Sequence, residues 1–99
     1  MKIPKSVFIH TRRWFDKTHG NSYFASRIEV GTGNYYFVPF QYGYESADID
    51  AAVKVLHAAG YTDVELKHFW TTSAPFDHYR VDYYATKKET KQLGEDFSG

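Results

Sequence analysis

Five residues near the start of this 99-residue chain carry the strongest chemical signal: Arg12, Arg13, Trp14, Tyr23 and Arg27. Arginine neutralises phosphate, and aromatic rings stack on bases, so this set has the chemistry of a nucleic-acid or nucleotide platform. Tryptophan, tyrosine and arginine are also the residues that dominate protein–protein hot spots. The structural alternative is cross-strand packing, with arginine stems lying over rings to shield a sheet face. All three readings stay open at this level.

Other reactive side chains form weaker patterns. Asp16, His19 and Ser22 have the residue types of a nucleophile–base–acid triad. They share one short loop, "DKTHGNS", whose composition is explained by turn formation, with Asp capping amides and Gly20–Asn21 reversing the chain. The histidines at 10, 19, 57, 68 and 78 form no HxH or HxxxH pair, so no metal site is expected. "GTG" at 31–33 is not followed by a helix and lacks the GxxxxGK[ST] pattern of a phosphate loop. No catalytic residue and no cofactor are therefore expected, and a small hydrolase ranks behind both binding readings.

The elements that must position these residues follow from periodicity. Residues 6–15 and 23–30 alternate as strands, with Val7 and Ile9 on one face of the first and Phe24, Ile28 and Val30 on one face of the second. Gly31 and Gly33 suit a three-residue hairpin loop that demands positive φ. A third strand at 35–44 is aromatic on both faces. This register places Tyr36, Val38, Phe40 and Tyr42 beside Phe24 and Ile28, and Pro39 marks an edge or a bulge. "ESADIDAAVKVLHAAG" predicts a helix over 47–59, with Ser46 as N-cap, Asp48 and Asp50 at the positive end of its dipole, and Gly60 as the stop. Residues 63–70 predict a fourth strand with Val64 and Leu66 inward. Residues 78–86 predict a fifth, with Tyr79, Val81 and Tyr83 inward. The tail 87–99 reads as a short helix or a frayed end.

The expected fold is a single α+β domain spanning 1–99, with an antiparallel sheet of about five strands in the order βββαββ. One amphipathic helix covers one face. The other face then shows His10, Arg12, Trp14, Tyr23, Arg27, Lys67, Arg80 and Tyr84 to solvent, to a partner or to a second copy. A homodimer through that face or through an aromatic edge strand is one outcome.

Composition bounds the function further. Residues 1–27 hold six basic side chains against Asp16 alone, while residues 28–82 hold three against eight acids. A formally neutral chain can thus present a basic face. The chain has no cysteine, which removes disulfides and thiolate metal sites. No apolar run reaches the ~20 residues of a membrane span.

Arg13-Trp14-Phe15, then Gly20-Asn21-Ser22-Tyr23, then Tyr42-Gly43-Tyr44 before the amphipathic helix resembles a group of small accessory proteins of tailed bacteriophages, over roughly residues 11–61. The resemblance implies a phage protein acting in the cytoplasm of the bacterial host. It implies a non-enzymatic binder of a host protein, such as an inhibitor of a defence complex of the CRISPR type. It transfers no residue roles. The alternative remains a nucleic-acid or nucleotide binder using the Arg/aromatic face.

Overall fold

The structure is a computed structural model and describes residues 3–71 and 73–95. Four strands form one sheet: β1 (Ser6–Asp16), β2 (Asn21–Val30), β3 (Asn34–Tyr42) and β4 (Asp77–Tyr84), in the order β3-β2-β1-β4. Helix α1 (Ala47–Ala58) precedes a 3₁₀ turn at Leu66–Trp70, and α2 (Lys87–Leu93) follows β4.

The expectation of five antiparallel strands is corrected to a mixed sheet of four. β1 and β2 pair antiparallel, as do β2 and β3, but β4 runs parallel to β1. The reason is topological. α1 carries the chain back to the end where β3 began, so the next strand must run in the direction of β3 and β1. The segment 63–70 is not a strand. Local polar bonds claim its backbone: the Glu65 N–H donates to His68 Nδ1, and the His68 N–H donates to the Glu65 carbonyl, each at 3.0 Å. Such local bonds compete directly with a sheet ladder. Val64 is buried as expected, while Leu66 is exposed.

The main core lies between the sheet and α1. Val7, Ile9, Phe24, Ile28, Val30 and Val38 meet Ile49, Ala52 and Leu56, with Val64, Phe69 and Phe76 closing one end. The hairpin glycines behave as their turn requires: Gly31 has φ 62° and Gly33 φ 85°, and Val30 pairs with Asn34 across them.

The parity of β3 changes halfway along. Phe24 pairs with Gln41 and Ser26 with Val38, so Pro39 and Phe40 together oppose Ala25 alone. Pro39, expected to mark an edge or a bulge, stands at both, and this β-bulge on the edge strand moves the later residues to the opposite face. Val38 stays in the core. Phe40 instead stacks on Tyr23, ring centroids 5.2 Å apart and planes 6° from parallel, and Tyr42 meets the same Tyr23 edge-on. The inward placement of Phe40 and Tyr42 is corrected accordingly.

A second helix, rather than one, covers the sheet. The tail forms α2, started by a capping box in which the Thr86 side chain accepts from the Glu89 N–H and the Glu89 carboxylate accepts from the Thr86 N–H. Residues 96–99 of the predicted tail lie outside the described residues. α2 packs on the face opposite α1, over Ala25, and buries Thr90 and Leu93. Its end comes close to the bulge: a Cβ at Gly94 would lie 2.6 Å from the Val38 carbonyl oxygen and 2.9 Å from Pro39 Cα.

Two variants check this packing. Leu56 is fully buried, so Leu56→Ala should destabilise the fold by about 2–5 kcal/mol in a denaturant melt. Gly94→Val should cost about 1–3 kcal/mol, because backbone rather than a flexible side chain blocks the added carbons.

Candidate functional site

The register aligns rows of side chains across the face that α2 only partly covers. Tyr79, Phe8, Glu29 and Tyr35 form one row; Val81, His10, Arg27 and Phe37 form the next; Tyr83, Arg12 and Ala25 form the third; Trp14, Tyr23 and Tyr42 form the last. α2 lies over the middle of the last two rows and leaves Tyr83 and Tyr42, at their ends, exposed. Its Lys87 sits 5.2 Å above the Trp14 ring and its Lys91 5.4 Å above Phe40. The first two rows are open. Phe8, Tyr35, Val81 and Tyr83 are each about two-fifths to one-half exposed, and Tyr79 is 66% exposed.

The parallel pairing of β4 produces this surface. It puts Tyr79, Val81 and Tyr83 beside Phe8, His10 and Arg12, on the face away from α1. Their expected inward placement is therefore corrected. Arg80 and Tyr84, expected on this face, stand on the α1 side, and Lys67 belongs to the 3₁₀ turn.

Polar contacts hold the open rows in place. Arg12 donates from Nε to the Tyr83 hydroxyl at 3.0 Å and from Nη1 to the Glu89 carbonyl at 2.9 Å. The Tyr83 oxygen is also 2.8 Å from His10 Nε2. Burial, then the charges of Arg27 and Arg12, push the His10 pKa below its ordinary value. A neutral His10 accepts from the Tyr83 hydroxyl, whose oxygen accepts from Arg12; the imidazole proton then sits on Nδ1. Arg27 lies 5.6 Å from the Tyr35 ring centroid. The surface thus combines exposed rings with two ordered guanidinium groups, and α2 adds Lys87, Lys88 and Lys91 along its border.

Of the five residues predicted as one platform, the structure brings together Arg12, Trp14, Tyr23 and Arg27 on this face. Trp14 and Tyr23 lie partly beneath α2, 5.7 Å apart. Arg13 is on the other face. It is 6% exposed, and its Nε donates to Asp82 at 2.9 Å while Nη2 donates to the Glu45 carbonyl at 2.6 Å and to Asp48 at 3.2 Å. Strand parity carried this signal, since Arg13 alternates in step with Val7, Ile9 and Thr11.

Asp48 is the centre of that second cluster. It is fully buried, accepts from Arg80 Nε at 2.9 Å and Nη2 at 2.8 Å, and accepts from the Thr11 hydroxyl at 2.8 Å. With its proton so committed, Thr11 accepts in turn from the Ser26 hydroxyl at 2.8 Å. Burial alone would raise the Asp48 pKa. The bonds from Arg80 and Thr11, with the charges of Arg80 and Arg13, outweigh it and hold the carboxyl below its ordinary value. Sequence reading gave Asp48 to the helix dipole. Its position four residues before Ala52 and eight before Leu56, on the buried stripe, was the available sign of a deeper role.

The loop set does not assemble as a triad. Asp16 accepts from His19 Nδ1 at 2.8 Å and from the Thr18 N–H at 3.0 Å, and the His19 bond chiefly holds its pKa down. Ser22 lines a cleft with Arg13 and Tyr44 instead. Among the described residues no group of His, Asp and Glu is arranged to hold a metal ion, and no helix is long and apolar enough to cross a membrane. No protein-family model, curated protein or solved structure matches the chain.

The Asp48 cluster should govern acid stability. A carboxyl whose folded pKa is depressed stabilises the fold above its unfolded value of about 3.9, and that contribution is lost as pH falls through the folded value. Asp48→Asn should cost about 3–5 kcal/mol at pH 7, because Arg13 and Arg80 lose the buried carboxylate they share and Arg13 keeps only the part-exposed Asp82. Its melting temperature should then depend less on pH between about 2 and 4 than that of the parent. Thermal melts across that range measure both effects.

Proposed function

We propose that this chain is a non-enzymatic binding protein that captures a macromolecular partner on the open rows of its sheet. The observation that carries the reading is the exposed run Tyr79–Phe8 and Val81–His10 beside Arg12 and Arg27. Rings left half-exposed on a rigid sheet gain most when a partner desolvates them, and neighbouring guanidinium groups orient that partner. The resemblance to phage accessory proteins makes a protein of the bacterial host the leading partner, with interference in a host defence complex as the consequence.

A second reading has its own support. The same face and its border carry Arg12, Arg27, Lys87, Lys88 and Lys91 against Glu29, Glu89 and Glu95, a net positive surface on a neutral chain. Single-stranded nucleic acid suits stacking rings beside such cations.

Capture from bacterial lysate with the Phe8→Ala/Tyr79→Ala double variant tests both. Both side chains are partly exposed on one row, so the melt should stay close to that of the parent while partner binding weakens by about 2 kcal/mol or more. A protein partner should survive nuclease and moderate salt. A nucleic-acid partner should be lost steeply between about 50 and 200 mM salt. Undiminished capture by the double variant would move the site off these rows.

A further inference from the structure

On the opposite side of the sheet, above the Asp48 cluster, lies a cleft of about 590 Å³. Tyr44, Trp70 and Tyr84 line it together with Ser46, Arg80 and Asp82, and the three rings are each more than half exposed. A volume of this size suits a small organic ligand, and exposed rings around a polar floor suit a flat one. Three features of the floor decide its chemistry.

The first is charge balance. Arg13 and Arg80 face Asp48 and Asp82, and all four are joined by ion pairs. With Glu45 also lining the cleft, two positive charges meet three negative ones, so the site disfavours a free anion. The second is rigidity. Glu45, with φ 57°, is the one non-glycine residue among those described in the left-handed region, and its carbonyl accepts from both Arg13 and Arg80. Backbone strain of this kind persists where surrounding contacts over-determine it. The third is the exposed edge. Arg80 is bound through Nε and Nη2 and Asp82 through Oδ2, so Arg80 Nη1 and Asp82 Oδ1 are the atoms without a described partner. Arg80 Nη2 and Asp82 Oδ2, both already engaged, are 3.8 Å apart, so the two head groups that carry the remaining donor and acceptor are neighbours at the cleft.

We propose that this cleft binds a guanine base, as an uncharged nucleoside. A neutral planar ring stacks on Trp70, Tyr84 or Tyr44. Guanine places a carbonyl next to two N–H groups along one edge: the carbonyl accepts from Arg80 Nη1, one N–H donates to Asp82 Oδ1, and the other donates to the second lone pair of Oδ2, which Arg13 Nε already shares. Adenine offers that carboxylate one donor and cytosine one, so both lose a bond. The site is separate from the open sheet face, and the two can be tested independently.

Calorimetric titration of the full chain with guanosine, adenosine and cytidine tests the assignment. Guanosine should bind about tenfold more tightly than either of the others, in keeping with one bidentate base contact. Asp82→Asn should abolish that preference. Trp70→Ala, at an exposed ring whose loss should not disturb the melt, should weaken guanosine binding by about tenfold. Absence of saturable guanosine binding would overturn the proposal. So would equal binding of all three nucleosides, or guanosine binding indifferent to both variants. Should Asp82→Asn lower the melt by releasing Arg13, the Trp70→Ala titration still decides.

Discussion

Asp48 ties the molecule together. It stands in the first turn of α1, yet its carboxylate bonds side chains from two strands: Thr11, with Arg13, on β1 and Arg80 on β4. Those contacts join the helix to the centre of the sheet and to the parallel edge strand at once. Burying this many charges is costly in itself, and the geometry is therefore all-or-none. The return is specificity of arrangement. β4 is exposed along nearly all its length and has little apolar packing to place it. The Arg80 fork on Asp48 supplies the side-chain anchor that, with the backbone ladder to β1, fixes which residues of β4 face α1.

The rest of the functional surface follows from that register. With Arg80 and Asp82 held on the α1 side, Tyr79, Val81 and Tyr83 must face the other way, because side chains alternate along a strand. They extend a row already containing Phe8, His10 and Arg12. The same placement builds the floor of the cleft. One ion cluster thus positions the partner surface on one face and the candidate ligand site on the other.

The second helix limits how much of the open face remains. α2 covers the Trp14–Tyr23–Phe40 stack, and the β3 bulge is what brings Phe40 there. The aromatic cluster first suggested by sequence is consequently half support and half surface. Trp14 and Tyr23 brace α2, while the exposed rings belong to residues 8, 35, 42, 79 and 83.

The sequence by itself determined every element governed by local periodicity and turn chemistry. The α1 stripe, the β1–β2 alternation, the hairpin glycines and the Pro39 irregularity were legible because each depends on neighbours a few residues away. The parity of Arg13 was legible on the same grounds. Tertiary structure decided the remainder. Whether "DVELKHFW" paired as a strand depended on competition from bonds between Glu65 and His68. Whether Tyr79 or Arg80 pointed inward depended on β4 pairing parallel with β1, a contact across some seventy residues. A short alternating strand with rings on one parity and charges on the other has no intrinsic inside. The buried carboxylate of Asp48 supplied one.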